Sequence, residues 1–128
     1  MILLYTVEAL VPILTVQLAW AGAMALRKEK ERHRRMAAIH AASVWGSYIL
    51  VWAMMLMGHT IKGTAAKWIV DIHLVIIYLI PALLLVMAPT GLKGIRRVHI
   101  PLAVTYVILW AAALVTGAMI FLSARGYM

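Results

Sequence analysis

The sequence predicts an all-α integral membrane protein with four transmembrane helices in an up-down-up-down bundle. Three observations carry that reading. Hydrophobic residues fill 66% of the 128 positions, charged residues only 12%, and the mean hydropathy is +0.98. In soluble domains charged residues alone approach about a quarter. The apolar residues gather in four runs, roughly 3–26, 36–58, 68–88 and 100–122, each long enough for the about 20 residues that a helix needs to cross a bilayer. The connections between them are short, and helices joined by short loops pack as antiparallel neighbours. These runs consume nearly the whole chain, so residues 1–128 read as a single transmembrane domain whose first partner is the lipid bilayer. A soluble catalytic domain is excluded, as is a nucleic-acid-binding one despite the net charge of +8.

Span one lacks a basic leader, carries Glu8 near its start and is followed by positive charge, so it reads as a retained span and not as a cleaved signal peptide. Pro12 is expected to kink it. Before span two runs "RKEKERHRR", with Arg27, Lys28, Lys30, Arg32, Arg34 and Arg35; before span four runs "TGLKGIRRVH", with Lys93, Arg96 and Arg97. The other side holds Lys62, Lys67 and Arg125. Lysine and arginine accumulate on the cytoplasmic side, so both termini are expected to be non-cytoplasmic, in a prokaryotic-type plasma (inner) membrane. The basic stretches read as anchors to anionic headgroups. Pro81 is expected to kink span three, and Pro101 to sit in the first turn of span four, where a missing N–H costs nothing. Asp71 is expected to pair with Lys67 one turn earlier, while Glu8 and Gln17 face a neighbouring helix.

The stretch "MGHTIKGTAAKWIVDIH", Met57 to His73, places an imidazole on each side of one polar break. Placed by depth, the five histidines form two groups. His59 closes span two at the outer surface, and His73 lies in the first outer turns of span three. His40 is one turn inside the cytoplasmic end of span two, His99 opens span four at a comparable level, and His33 lies seven residues before His40 and nearly on its face. His40 and His59 are about 28 Å apart at helical rise, so they cannot share one ligand. The expected groups are therefore His59 with His73 outside, and His99 with His40 or His33 inside.

Ionisable residues inside spans are costly and point to function. Cysteine is absent, which removes thiolate metal sites and iron–sulfur clusters. What remains is imidazole ligation, the way helix bundles hold a haem iron or a metal ion. Haem b is the first choice, with all five histidines as candidate ligands and His59, His73 and His99 as the candidate metal ligands. Span two offers an aromatic stripe for a macrocycle, Met55, Trp52, Tyr48, Trp45 and Ala41; span four offers Ala103, Tyr106, Trp110, Ala113 and Gly117. The same alternation of small and aromatic residues also serves ordinary helix packing in membranes. Copper is the second choice, through the soft thioethers of Met54, Met55 and Met57, although methionine is equally an apolar filler. No nucleophile with a base, no carboxylate pair and no phosphate-binding glycine loop is legible, so a catalytic role is not expected.

Three segments resemble those of a known family. "HRRM" at 33–36, "GHTIKGTAAKWIVDIHLVI" from Gly58 and "RRVHIPLAVTYVILWAAALVTGAMIFL" from Arg96 resemble the small multi-span membrane family called YozB-like or CtaM-like, over about residues 33 to 122. Carried over, the pattern comprises His33 and Met36, then His59, Thr60 and Gly63, then His73, then His99, with Val115, Thr116 and Gly117. The resemblance implies a respiratory-chain protein linked to maturation of haem-copper oxidases, with oxidase subunits as partners. It favours His33 over His40 at the inner level, whereas depth alone favours His40. The expectation is a protein that binds haem b or a metal for electron transfer or oxidase assembly. The alternative is a structural accessory subunit of a larger membrane complex without its own cofactor. A channel or transporter is the weakest reading, since the span centres are apolar apart from Gln17 and scattered hydroxyls.

Overall fold

Leucine, methionine and alanine favour the helix, and in lipid a backbone must satisfy its own hydrogen bonds, so long apolar runs become helices. The computed structural model describes residues 2–61 and 65–127; Lys62 and Gly63 of the readings above lie outside the described residues. It is an all-α chain, 87% helical. The helices are α1 (Ile2–Leu26), α2 (Lys30–Leu56), α3 (Lys67–Leu92) and α4 (Arg96–Ala124). All four are long and apolar enough to cross a membrane.

The helix boundaries differ from the apolar runs, and three of the differences bear on the site. Helices α2 and α4 begin in the basic stretches, at Lys30 and Arg96, because lysine, arginine and glutamate are good helix formers and the helix need not stop where the apolar run does. Pro101 consequently lies inside α4 and not in its first turn. Helix α2 ends at Leu56, so His59 lies beyond the helix, where a Schellman turn closes it. There His59 N–H donates to Met54 O and Gly58 N–H to Met55 O, with Gly58 at φ +86.

The chain divides into two compact units, Met1–Thr60 and Ile61–Met128. The first is the hairpin of α1 and α2, the second the hairpin of α3 and α4. In the first, Leu3, Leu4, Leu14, Ala21 and Met24 of α1 and His40, Val44 and Met54 of α2 are buried. In the second, Ile69, Ile76, Ile80, Pro81 and Leu84 of α3 and Tyr106, Trp110 and Ser123 of α4 are buried.

The two hairpins repeat one another in a fixed register of 66 positions (99 − 33). At the first turn Lys28 N–H donates to Ala25 O and Glu29 N–H to Met24 O; at the second, Gly94 N–H donates to Gly91 O and Ile95 N–H to Thr90 O. Lys28 and Gly94, equivalent in that register, both take the left-handed conformation, at φ 60 and 68. Buried positions correspond as well: Leu3 with Ile69, Leu14 with Ile80, His40 with Tyr106, Val44 with Trp110. Residue identity hides this repeat. Few residues are identical across it, Leu26 with Leu92 and His33 with His99 among them, and apolar side chains substitute freely in a helical interface.

Candidate functional site: tethered histidines

A histidine emerges from the helix–helix seam of each hairpin near its turn. In the first, the His33 ring reaches back across the hairpin and its Nδ1–H donates to the Ala21 carbonyl at 2.8 Å. In the second, His99 Nδ1–H donates to the Met87 carbonyl at 3.1 Å. The two bonds are the same bond in the repeat. A carbonyl oxygen only accepts, so each ring must carry its proton on Nδ1, and in the neutral imidazole Nε2 is then the nitrogen with the lone pair. His99 lies over Gly91, its Cε1 only 2.8 Å from where a Cβ there would stand. The helical extension of α2 through the basic stretch puts His33 and His40 on the same face, since both meet α1.

His40 is placed differently. It is 3% exposed and its ring donates to the backbone carbonyl of Leu14. The equivalent residue in the second hairpin is Tyr106, 1% exposed and stacked on Trp110 with ring centroids 6.0 Å apart. This position is buried in both hairpins, and His40 lies in the α1–α2 seam beside Leu14.

His73 sits at the other end of the second hairpin. Its Nδ1 is 2.8 Å from Thr116 Oγ1. The Thr116 hydroxyl donates to the Ala112 carbonyl at 2.8 Å, so its oxygen accepts the His73 Nδ1–H, and again Nε2 keeps the lone pair. Gly117, next to Thr116, makes room: a Cβ there would lie 3.2 Å from His73 Cε1. From His73 to Met87, where His99 docks, is 14 residues of α3 (87 − 73), about 21 Å at helical rise. Within this unit the two levels of histidine expected from the sequence are therefore far apart. His59 and His73 fall in different units, as do His33 or His40 and His99.

The supporting stripes resolve differently. Tyr106 and Trp110 face α3 and serve its packing, whereas Trp52 and Met55 of α2 are exposed, and Trp45 meets Tyr48 edge-on at 5.9 Å. The methionines splay apart: Met54 is buried, Met55 is 49% exposed and Met57 is 69% exposed, so they do not present three thioethers to one point. Among the described residues no group of three or more His, Asp or Glu gathers as a metal-ion cluster. Asp71 pairs with Lys67, as their spacing predicts. The span hydroxyls of Thr6, Thr15, Ser47 and Thr116 all bond carbonyls of their own helix four residues back, which leaves them little to offer a polar pathway.

No protein-family model, curated protein or solved structure matches the chain. The geometry of the histidines is accordingly what the functional reading rests on. Of the partners that tether them, Thr116 was visible in the sequence as part of the Val115–Gly117 motif. The Ala21 and Met87 carbonyls were not, because a backbone acceptor leaves no mark in a sequence.

Proposed function

We propose that this chain is a multi-pass protein of a prokaryotic-type plasma membrane that binds haem b, or a metal such as copper, through histidine Nε2 atoms. Its role is electron transfer or the assembly of a haem-copper oxidase, with respiratory subunits as partners. The single observation that supports this most is the common tether. His33, His73 and His99 each give Nδ1–H to a fixed oxygen, the arrangement that orients a ligating imidazole and raises its basicity. The donor set fits. A cysteine-free chain offers neutral nitrogen donors, which suit haem iron and copper alike. A bound haem supplies one-electron exchange; the chain supplies fixed rings, a tautomer and an apolar surround. In this reading the helices alternate up and down with both termini non-cytoplasmic, and the likeness to the YozB-like or CtaM-like family points to oxidase maturation.

The accessory-subunit reading draws on one observation of its own. His33 and His99 recur at the same place in both hairpins, where each bridges two helices, and a repeated bridge also serves packing. The two readings separate on purified protein. Haem or copper that co-purifies with the chain, and is lost when histidines are replaced, supports the first. A chain that folds and assembles but neither carries nor takes up either one supports the second.

A further inference from the structure

The two hairpins share a register, so each position in one has a counterpart that shows what packing alone requires. His33 and His99 are counterparts, and so are His40 and Tyr106. His73 has no such partner. In the same register it stands opposite Val7, Thr116 opposite Leu50 and Gly117 opposite Val51. The first hairpin thus closes with three β-branched or aliphatic side chains where the second has an imidazole, a hydroxyl and a gap. The polar group is an addition to a pairing that works without it, placed where apolar surroundings make an imidazole costly.

We propose that His73 is the ligand residue of the second hairpin, binding through Nε2, and that Thr116 is the positioning residue that sets it. This rests on the functional reading above and assigns its site. Thr116 spends its own proton on the Ala112 carbonyl, with a longer approach of 3.3 Å to the Ala113 carbonyl. Its oxygen is then an acceptor at 2.8 Å from Nδ1. That single contact fixes both the rotation of the ring and its tautomer. Gly117 keeps the adjacent turn clear, since any Cβ there would press on Cε1, the carbon between the two ring nitrogens.

The test uses the full-length chain in detergent micelles, with haemin as the probe, in wild type and in the variants Thr116→Val, Thr116→Ser and His73→Ala. Nitrogen NMR of ¹⁵N-histidine protein without haemin, with the His73 signals assigned by their loss in His73→Ala, reads the tautomer directly. The expected result is protonated Nδ1 at His73 in wild type and Thr116→Ser, and a mixture of tautomers in Thr116→Val. Haemin should bind wild type and Thr116→Ser similarly and Thr116→Val about 10-fold or more weakly, in line with the loss of a partner that orients a ligand. His73→Ala should lose the site. Wild-type affinity in Thr116→Val, or a proton on Nε2 of His73 in wild type, overturns the assignment while the functional reading stands. Failure of the wild type to bind haemin or copper overturns the functional reading itself, and the assignment with it.

Discussion

At the scale of single residues, the difference between a histidine that packs and one that is presented lies in what holds the ring. His40 is enclosed in a helix–helix seam and has Tyr106 as its counterpart, whereas the Nδ1–H of His33, His73 and His99 is each given to a fixed oxygen on the facing helix. Each bond contributes about 1 kcal/mol net. His33→Ala and His99→Ala should therefore weaken their own hairpins by similar amounts of that order, measured by denaturant titration of helicity. A large effect of one and none of the other would break the equivalence. Gly91→Ala should disturb more than Gly117→Ala. A Cβ at Gly91 meets the His99 ring at 2.8 Å, a distance real contacts do not allow, while the clash with His73 at 3.2 Å yields to a shift of a few tenths of an ångström. Ring signals of His99 in Gly91→Ala and of His73 in Gly117→Ala report the comparison. His73→Ala and His99→Ala, separated by most of α3, should combine additively in cofactor content and stability, as distant sites without shared partners do; a double variant that departs from the sum would show coupling.

At the scale of helices, hydropathy made the four spans legible because lipid and helix impose one length and one composition. It did not reveal where α2 and α4 begin, since Lys30 and Arg96 belong to the helix by propensity though not to the apolar run. Nor did it show that His59 sits past the end of α2, because the left-handed Gly58 that ends the helix is a turn signal only once the preceding residues are known to be helical. The repeat of the hairpin was hidden for a physical reason: apolar interfaces preserve shape and register while exchanging residues, so Leu14 and Ile80 do the same job. What the repeat adds is a comparison at the turns. Lys28 holds a left-handed backbone where Gly94 holds the same one freely. A side chain in that conformation costs about 1 kcal/mol, so Lys28→Gly should stabilise the first hairpin by up to that amount and Gly94→Ala should destabilise the second. Equal midpoints for wild type and Lys28→Gly would argue that the lysine side chain compensates at the turn.

At the scale of the whole molecule, the proposed orientation rests on the charge distribution. Residues 27–35 and 90–99, which cover the two turns and the first residues of α2 and α4, carry nine of the twelve lysines and arginines, and part of this charge is already engaged on the surface, as in Arg32 with Glu29 and Arg34 with Glu31. Such exposed pairs contribute little to stability, and the positive-inside rule counts lysines and arginines whether or not they are paired with acids. A C-terminal reporter that works only outside the cytoplasm should be active, and one that works only in the cytoplasm should be silent; the reverse would invert the topology. The functional claim turns on whether the tethered imidazoles hold a cofactor, and the optical spectrum of the purified full-length chain, taken after haemin addition and reduction beside His73→Ala, tests it most directly. The wild type should show the resolved Soret and alpha bands of a histidine-bound haem, diminished in His73→Ala. A spectrum that matches free haemin in both proteins, with no copper bound to either, would contradict it.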